Sequence, residues 1–136
     1  YSLTFSNDVF NAVKHVIIYY IDSNGKVQSD VLMSTDSNVW TKTVTLNLPS
    51  DLGFQIVVQP KDESALLQET YDLKVEAAIS ARTSGGASFA NNKQFINSTG
   101  VSRANVISAV SGISGQSYGY RLDSNGNSTT KTLNLH

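Results

Sequence analysis

The sequence has no cysteine, only two histidines, two prolines, one tryptophan and one methionine, and charged residues make up just 15% of its 136 positions. Each shortage excludes something. No disulfide can form, and His15 and His136 alone do not make the Cys/His set that zinc requires. Ten Lys and Arg against eleven Asp and Glu leave a net charge of -1. That balance removes the electrostatic case for nucleic acid, whose phosphates demand clustered basic side chains. No apolar run reaches about 18 residues, so no membrane-spanning helix is expected. HExxH, GxSxG and P-loop spacings are all missing, which disfavours the commonest hydrolases and nucleotide enzymes.

What is present describes a folded surface solvated without charge. Hydrophobic content of 40% is too high for a disordered chain. The length fits one domain, residues 1–136, able to bury roughly two-thirds of its extended surface without disulfide or metal. Ser, Thr and Asn together supply 42 of the 136 residues. Short hydroxyls and amides suit turns and exposed strand faces, as on exported β-proteins, and an adequate core lets such a protein dispense with disulfides. The sequence opens at Tyr1 with no initiating Met, and the expectation is a removed signal peptide or lipoprotein anchor.

Periodicity predicts strands. From Thr70 to Arg82, Tyr71, Leu73, Val75, Ala77, Ile79 and Ala81 fall on one face and Asp72, Lys74, Glu76 and Ser80 on the other, a period of two that no helix buries coherently. Between Val39 and Leu48, Trp40, Val44, Leu46 and Leu48 oppose a row of Thr and Asn until Pro49 ends the run. Phe54, Ile56 and Val58 alternate similarly before Pro60. Val13–Ile21 is apolar on both faces and reads as a central strand covered on both sides. Two Asp-Ser-Asn-Gly tetrads, Asp22–Gly25 and Asp123–Gly126, divide Val16–Ile21 from Val27–Met33 and Tyr118–Leu122 from Ser128–Leu135. Asn-Gly accepts the positive φ of a tight hairpin, so both read as antiparallel hairpins with shared turn chemistry.

Ser102–Gly112 offers a Ser cap, a stripe of Val106, Ile107 and Val110, and a Gly stop, and is expected to be helical. Asp62–Glu69 is expected to make a single turn around Leu66 and Leu67. Thr83–Thr99, with Gly85-Gly86, Asn91-Asn92 and only Phe89, Phe95 and Ile96 as anchors, reads as a long loop. The fold class expected is an all-β antiparallel sandwich of about seven strands with one or two short helices.

Chemistry-bearing residues are sparse. His15 begins the most apolar strand and is more simply a strand histidine than a general base, and His136 a frayed end. Asp62, Glu63 and Glu69 could pair as glycosidase carboxylates, yet on a short polar connection they are more simply a solvated helix start. The Asp-Ser-Asn-Gly tetrads resemble part of a calcium loop but lack the later bidentate Glu, and the hairpin reading accounts for them. Asn97-Ser98-Thr99 and Asn127-Ser128-Thr129 have the form of glycosylation sequons. Aromatic side chains remain. Trp40 shares a face with Val44, Leu46 and Leu48 and reads as core, whereas Tyr19-Tyr20 sends one ring to each face and offers a stacking platform.

The run from His15 to Asp62 resembles the small transthyretin-like or immunoglobulin-like ectodomains of bacterial envelope proteins. Their pattern of a Y-x-D-x-(D/N)-G-K-x-Q hairpin followed by a W-x-K-x-V strand is matched here by Tyr20, Asp22, Asn24, Gly25, Lys26, Gln28, Trp40, Lys42 and Val44. Tyr120–Gly126 is similar to their closing hairpin, and the whole is similar to small secreted lipoproteins of gut Bacteroidetes. The resemblance covers about half of the sequence and implies fold and location, an extracellular, periplasmic or outer-membrane lipoprotein setting, and it transfers no site residue.

The expectation is therefore a non-catalytic secreted or cell-surface domain, monomeric or weakly oligomeric, that binds a glycan or an envelope protein without cofactor or metal. Its candidate contacts are Tyr19, Tyr20, Asp22 and Asn24 at the first hairpin and Phe89, Asn91 and Asn92 in the Thr83–Thr99 segment. The alternatives are an adhesin or pilus-type structural subunit that pairs through an edge strand, and a hydrolase with an unfamiliar site.

Overall fold

The computed structural model describes all residues, Tyr1–His136, as β1 (Ser2–Phe5), α1 (Asn7–Ala12), β2 (Val13–Ile21), β3 (Val27–Leu32), β4 (Val39–Thr41), β5 (Ser50–Pro60), β6 (Thr70–Arg82), β7 (Ser88–Ser102), α2 (Arg103–Ser111), β8 (Ser117–Leu122) and β9 (Ser128–Thr130), with one 3-10 turn at Glu63–Ala65. The strands form two antiparallel sheets, one ordered β4-β1-β6-β7 and the other β3-β2-β5-β8-β9. Two sheets facing one another across a single apolar layer make an all-β sandwich.

The period-two pattern of β6 is realised residue by residue. Tyr71, Leu73, Val75, Ala77 and Ile79 are buried, while Asp72, Lys74, Glu76 and Ser80 are exposed. From the opposing sheet, Val16, Ile18, Phe54 and Ile56 meet them in a core of 27 buried residues. Trp40 lies in that core against Tyr20 and Phe54, as its neighbours in sequence implied.

Both Asp-Ser-Asn-Gly tetrads form the turns expected of them. Asp22 Oδ1 accepts the N–H groups of Asn24 and Lys26 at 2.9 and 3.0 Å, and Asp123 Oδ1 accepts those of Asn125 and Asn127 at 2.9 Å each. Gly25 and Gly126 take φ of 73° and 82°, open to glycine at no steric cost. These amide bonds, Lys26 first for Asp22 and Asn127 first for Asp123, hold both carboxyls below the usual carboxylate range.

Several expectations need correction. Thr83–Thr99 is not a long loop: Thr83–Ala87 is a tight turn, and β7 then pairs with β6 from Ser88 opposite Arg82 to Ser102 opposite Thr70. β6 supplies a ladder long enough to override the weak strand propensity of Asn91-Asn92. A strand at the sheet's edge, buried only at Phe95, shows little apolar periodicity of its own. β2 is central between β3 and β5, but it is covered fully on one side only, because His15, Ile17 and Tyr19 on its outer face are half-buried. Pairing of the Val39–Leu48 run ends at Thr41, although Val44, Leu46 and Leu48 stay half-buried with exposed neighbours between them. That stretch carries the chain from one sheet to the other and so has no ladder partner. Likewise Ser128–Leu135 pairs only over β9. Nine strands form rather than seven.

The helices are more than decoration. α2 occupies the expected segment and buries Val106 and Val110, although the Ser102 hydroxyl makes no capping bond. α1, six residues long, is too short for a sequence period to reveal, and it buries Val9, Phe10 and Ala12 where the chain crosses between sheets. It is held from outside its own turn. Asp8 accepts from the Asp72 N–H at 2.7 Å and from the Gln68 side-chain amide at 3.0 Å, which lowers its carboxyl below the ordinary value.

Candidate functional site

The outer face of the four-stranded sheet carries a polar trough, and its geometry follows from strand register. Side chains directly opposite one another in a ladder share a face. Ser2 lies opposite Thr41 on one side and Ala78 on the other, and Ala78 lies opposite Asn92. One row therefore runs Thr41–Ser2–Ala78–Asn92 across all four strands. Two residues along, Thr4 lies opposite Glu76, and Glu76 opposite Gln94. From these rows Ser2, Thr4, Glu76, Ala78, Asn92 and Gln94 line a concavity of about 370 Å³. It continues toward β4 into a second hollow of about 230 Å³ that shares Ser2, Ala78 and Asn92 and reaches Lys42, Thr43 and Asn91.

The trough exists because its floor is small. Ser2 and Ala78 leave space that the longer Asn92, Gln94 and Glu76 border. Glu76 Oε1 accepts from the Gln94 amide at 3.3 Å and lies 3.3 Å from Lys74 Nζ. The Gln94 hydrogen bond foremost, and Lys74 after it, hold the Glu76 carboxyl below the ordinary range. Near neutral pH the trough thus offers one carboxylate acceptor, two side-chain amides that both donate and accept, and the hydroxyls of Ser2 and Thr4. That set suits a neutral ligand rich in hydroxyl groups.

The seven residues singled out from sequence do not converge. Asn91 and Asn92 border the trough and its extension. Phe89, on the inner side of β7, packs its ring 5.0 Å from Tyr120, at the seam between the sheets. Tyr19 and Tyr20 do point to opposite faces. Tyr20 is 9% exposed and sits in the core, with Trp40 at 5.7 Å and Lys42 Nζ 5.1 Å above its ring. Tyr19 lies half-buried on the outer face of the five-stranded sheet, 5.3 Å from the His136 ring. Asp22 and Asn24 belong to the first hairpin turn, where the Asp22 oxygens serve Asn24, Lys26 and the Gln28 amide. Sequence reading missed Ser2, Thr4, Glu76, Ala78 and Gln94. The outward phase of the β6 alternation already put Glu76 on the exposed face, but only the ladders with β1 and β7 bring the others beside it.

The seam beside β3 is closed by a half-buried polar link. Asp30, on the inner side of β3, accepts from Trp40 Nε1 at 2.8 Å and pairs with Lys42 Nζ at 3.0 Å. Burial alone would raise the Asp30 carboxyl, but the Trp40 and Lys42 bonds outweigh it and hold the group below its ordinary value. An inward-pointing charge on an edge strand also opposes pairing with another chain. β7, an edge of the four-stranded sheet, is 15 residues long and carries Lys93 and a break in register beside Val75 and Glu76, two further features that oppose pairing.

No helix of the protein is long and apolar enough to cross a membrane. No family model, curated protein or solved structure matches the chain.

Proposed function

We propose that this chain is a non-catalytic, secreted or cell-envelope module of the immunoglobulin-like or transthyretin-like kind, which binds glycan through the outer face of its four-stranded sheet. The observation that carries this reading is the small-floored trough, where amide, hydroxyl and carboxylate groups from β1, β6 and β7 are presented on rigid strands. A sugar presents neighbouring hydroxyls that donate and accept at once, and amide and hydroxyl side chains that do the same in fixed rows meet them, with the Glu76 carboxylate as a further acceptor. The charge-poor surface and the first hairpin support the envelope setting.

Glycan-array screening followed by amide NMR titration of the hits tests it. Shifts centred on Ser2, Thr4, Ala78, Asn92 and Gln94, lost in Ala78→Trp, are expected. A folded protein that gives no hit, or shifts elsewhere, overturns the assignment. The length of β7 favours a second reading, an adhesin or pilus-type subunit joined edge to edge. Concentration-dependent assembly in sedimentation, abolished by Asn92→Pro, would replace the glycan reading with that one.

A further inference from the structure

The outer face of the five-stranded sheet contains a peptide-sized groove that the chain fills with its own residues Lys131–His136. Gly53 of β5 and Gly119 of β8 lie directly opposite one another in the ladder. A Cβ at Gly119 would fall 2.4 Å from Leu133 Cδ1, and one at Gly53 would fall 2.2 Å from the Tyr118 carbonyl oxygen and 2.8 Å from Leu133 Cδ1. The paired glycines thus form a notch, and Leu133 occupies it, only 5% exposed. The next pair in the ladder, Gln55 opposite Ser117, supplies the backbone contacts. Ser117 Oγ accepts the Leu133 N–H at 3.1 Å, and Gln55 Oε1 accepts those of Leu135 and His136 at 2.7 and 3.0 Å. Gln55 Nε2 donates to the Gly115 carbonyl at 2.8 Å, which aims the oxygen at the groove.

The groove belongs to the sheet, while the strap that fills it is held, beyond the bonds above, by the Lys131 N–H on the Gly119 carbonyl at 3.0 Å and Lys131 Nζ on Asp51 at 2.6 Å. Its notch and acceptors come from the β5–β8 ladder. The strap itself has no ladder, buries a single side chain, and Leu133 is not among the 27 residues of the main core. Such a segment sits at the low-stability end of the molecule. Release would open an apolar notch and leave the Gln55 oxygen without two donors, so the vacated groove asks for a Leu and the following backbone N–H groups in one fixed spacing. The segment known to meet that spacing is Lys131–His136 itself.

We propose that this groove is an acceptor for the Lys131–His136 segment of a second copy of the chain, with the chain's own strap as its resident competitor. At low concentration the resident strap prevails, because it is tethered near its site at an effective concentration in the millimolar range. Exchange between copies is then a route to association that creates no contact absent from the monomer.

Two complementary variants test this. Gly119→Ala fills the notch and evicts Leu133, leaving a free strap, and Leu133→Ser leaves an open groove with no anchor to fill it. Mixed at about 0.1–1 mM, where exchange can compete with tethering, they are expected to give a 1:1 complex by light scattering, while each alone stays monomeric. Two folded variants that give no complex overturn the proposal. Should either variant fail to fold, hydrogen exchange on the unmodified protein decides. The Leu133, Leu135 and His136 amides are expected to exchange about 100-fold faster than those of Ile56 and Tyr118, as local release requires. Equal protection overturns the proposal.

Discussion

The outer face of the four-stranded sheet is polar and open, whereas that of the five-stranded sheet carries Ile17, Tyr19, Val27 and Val31 and is partly covered by Lys131–His136. Both faces are the outward phase of strands whose inward phase fills the same core. They differ in what stands at the centre. Ala78 and Ser2 leave a hollow that nothing in the chain fills, and Gly53 and Gly119 leave one that Leu133 does. Small residues in a strand thus mark close approach by something else, and whether that something is internal depends on where the rest of the chain runs.

The largest expected effect separates the inner face from both outer ones. Val75→Asp buries a charge in a central strand and costs several kcal/mol, about the whole stability of a small domain, so circular dichroism should show no folded state. A cooperative melt in that variant would mean the facing of β6 is wrong. Next, Gly53→Ala should break the covered face. Its φ of 134° disfavours any Cβ, and the Tyr118 carbonyl already occupies that space. Urea unfolding should register a loss of about 3 kcal/mol, and a change near zero would mean the notch can widen.

A smaller effect concerns the closed seam. Asp30 has its carboxyl held below the ordinary value, so its contribution to stability is present above about pH 4 and is lost as pH falls through the lowered value. Asp30→Asn should cost about 1 kcal/mol at neutral pH and make the acid limb of a stability-against-pH curve shallower than in the unmodified protein. An unchanged acid limb would mean the Trp40 and Lys42 contacts contribute nothing net. Smallest of all, Ala78→Trp on the open face should change stability by no more than about 0.5 kcal/mol, because a surface hollow has room for it. A large loss would show that the trough is packed and not available to a ligand.

Local chemistry made much of this legible. The tetrads Asp22–Gly25 and Asp123–Gly126 specify nearly identical turns because each Asp bonds amides two and four residues ahead, and no distant contact is needed. Alternation in β6 is equally local, since a strand half-buried against a core must repeat every second residue. Even Val44–Leu48 kept its facing without its pairing. β7 and α1 were hidden for the converse reason: an edge strand and a six-residue helix need few apolar residues of their own. Of the trough, the sequence marked Asn91 and Asn92 through composition alone and placed them in a loop.

The sequence by itself therefore determined the class of fold, the two hairpin turns and the buried phase of the principal strands, because these depend on residues close along the chain. Only the tertiary structure decided which outward side chains became neighbours. Ser2, Ala78 and Asn92, or Gly53, Gly119 and Leu133, meet across ladders and a crossing strap that join residues far apart in sequence. Such meetings are set by register, and register is fixed by the packing of the whole sandwich.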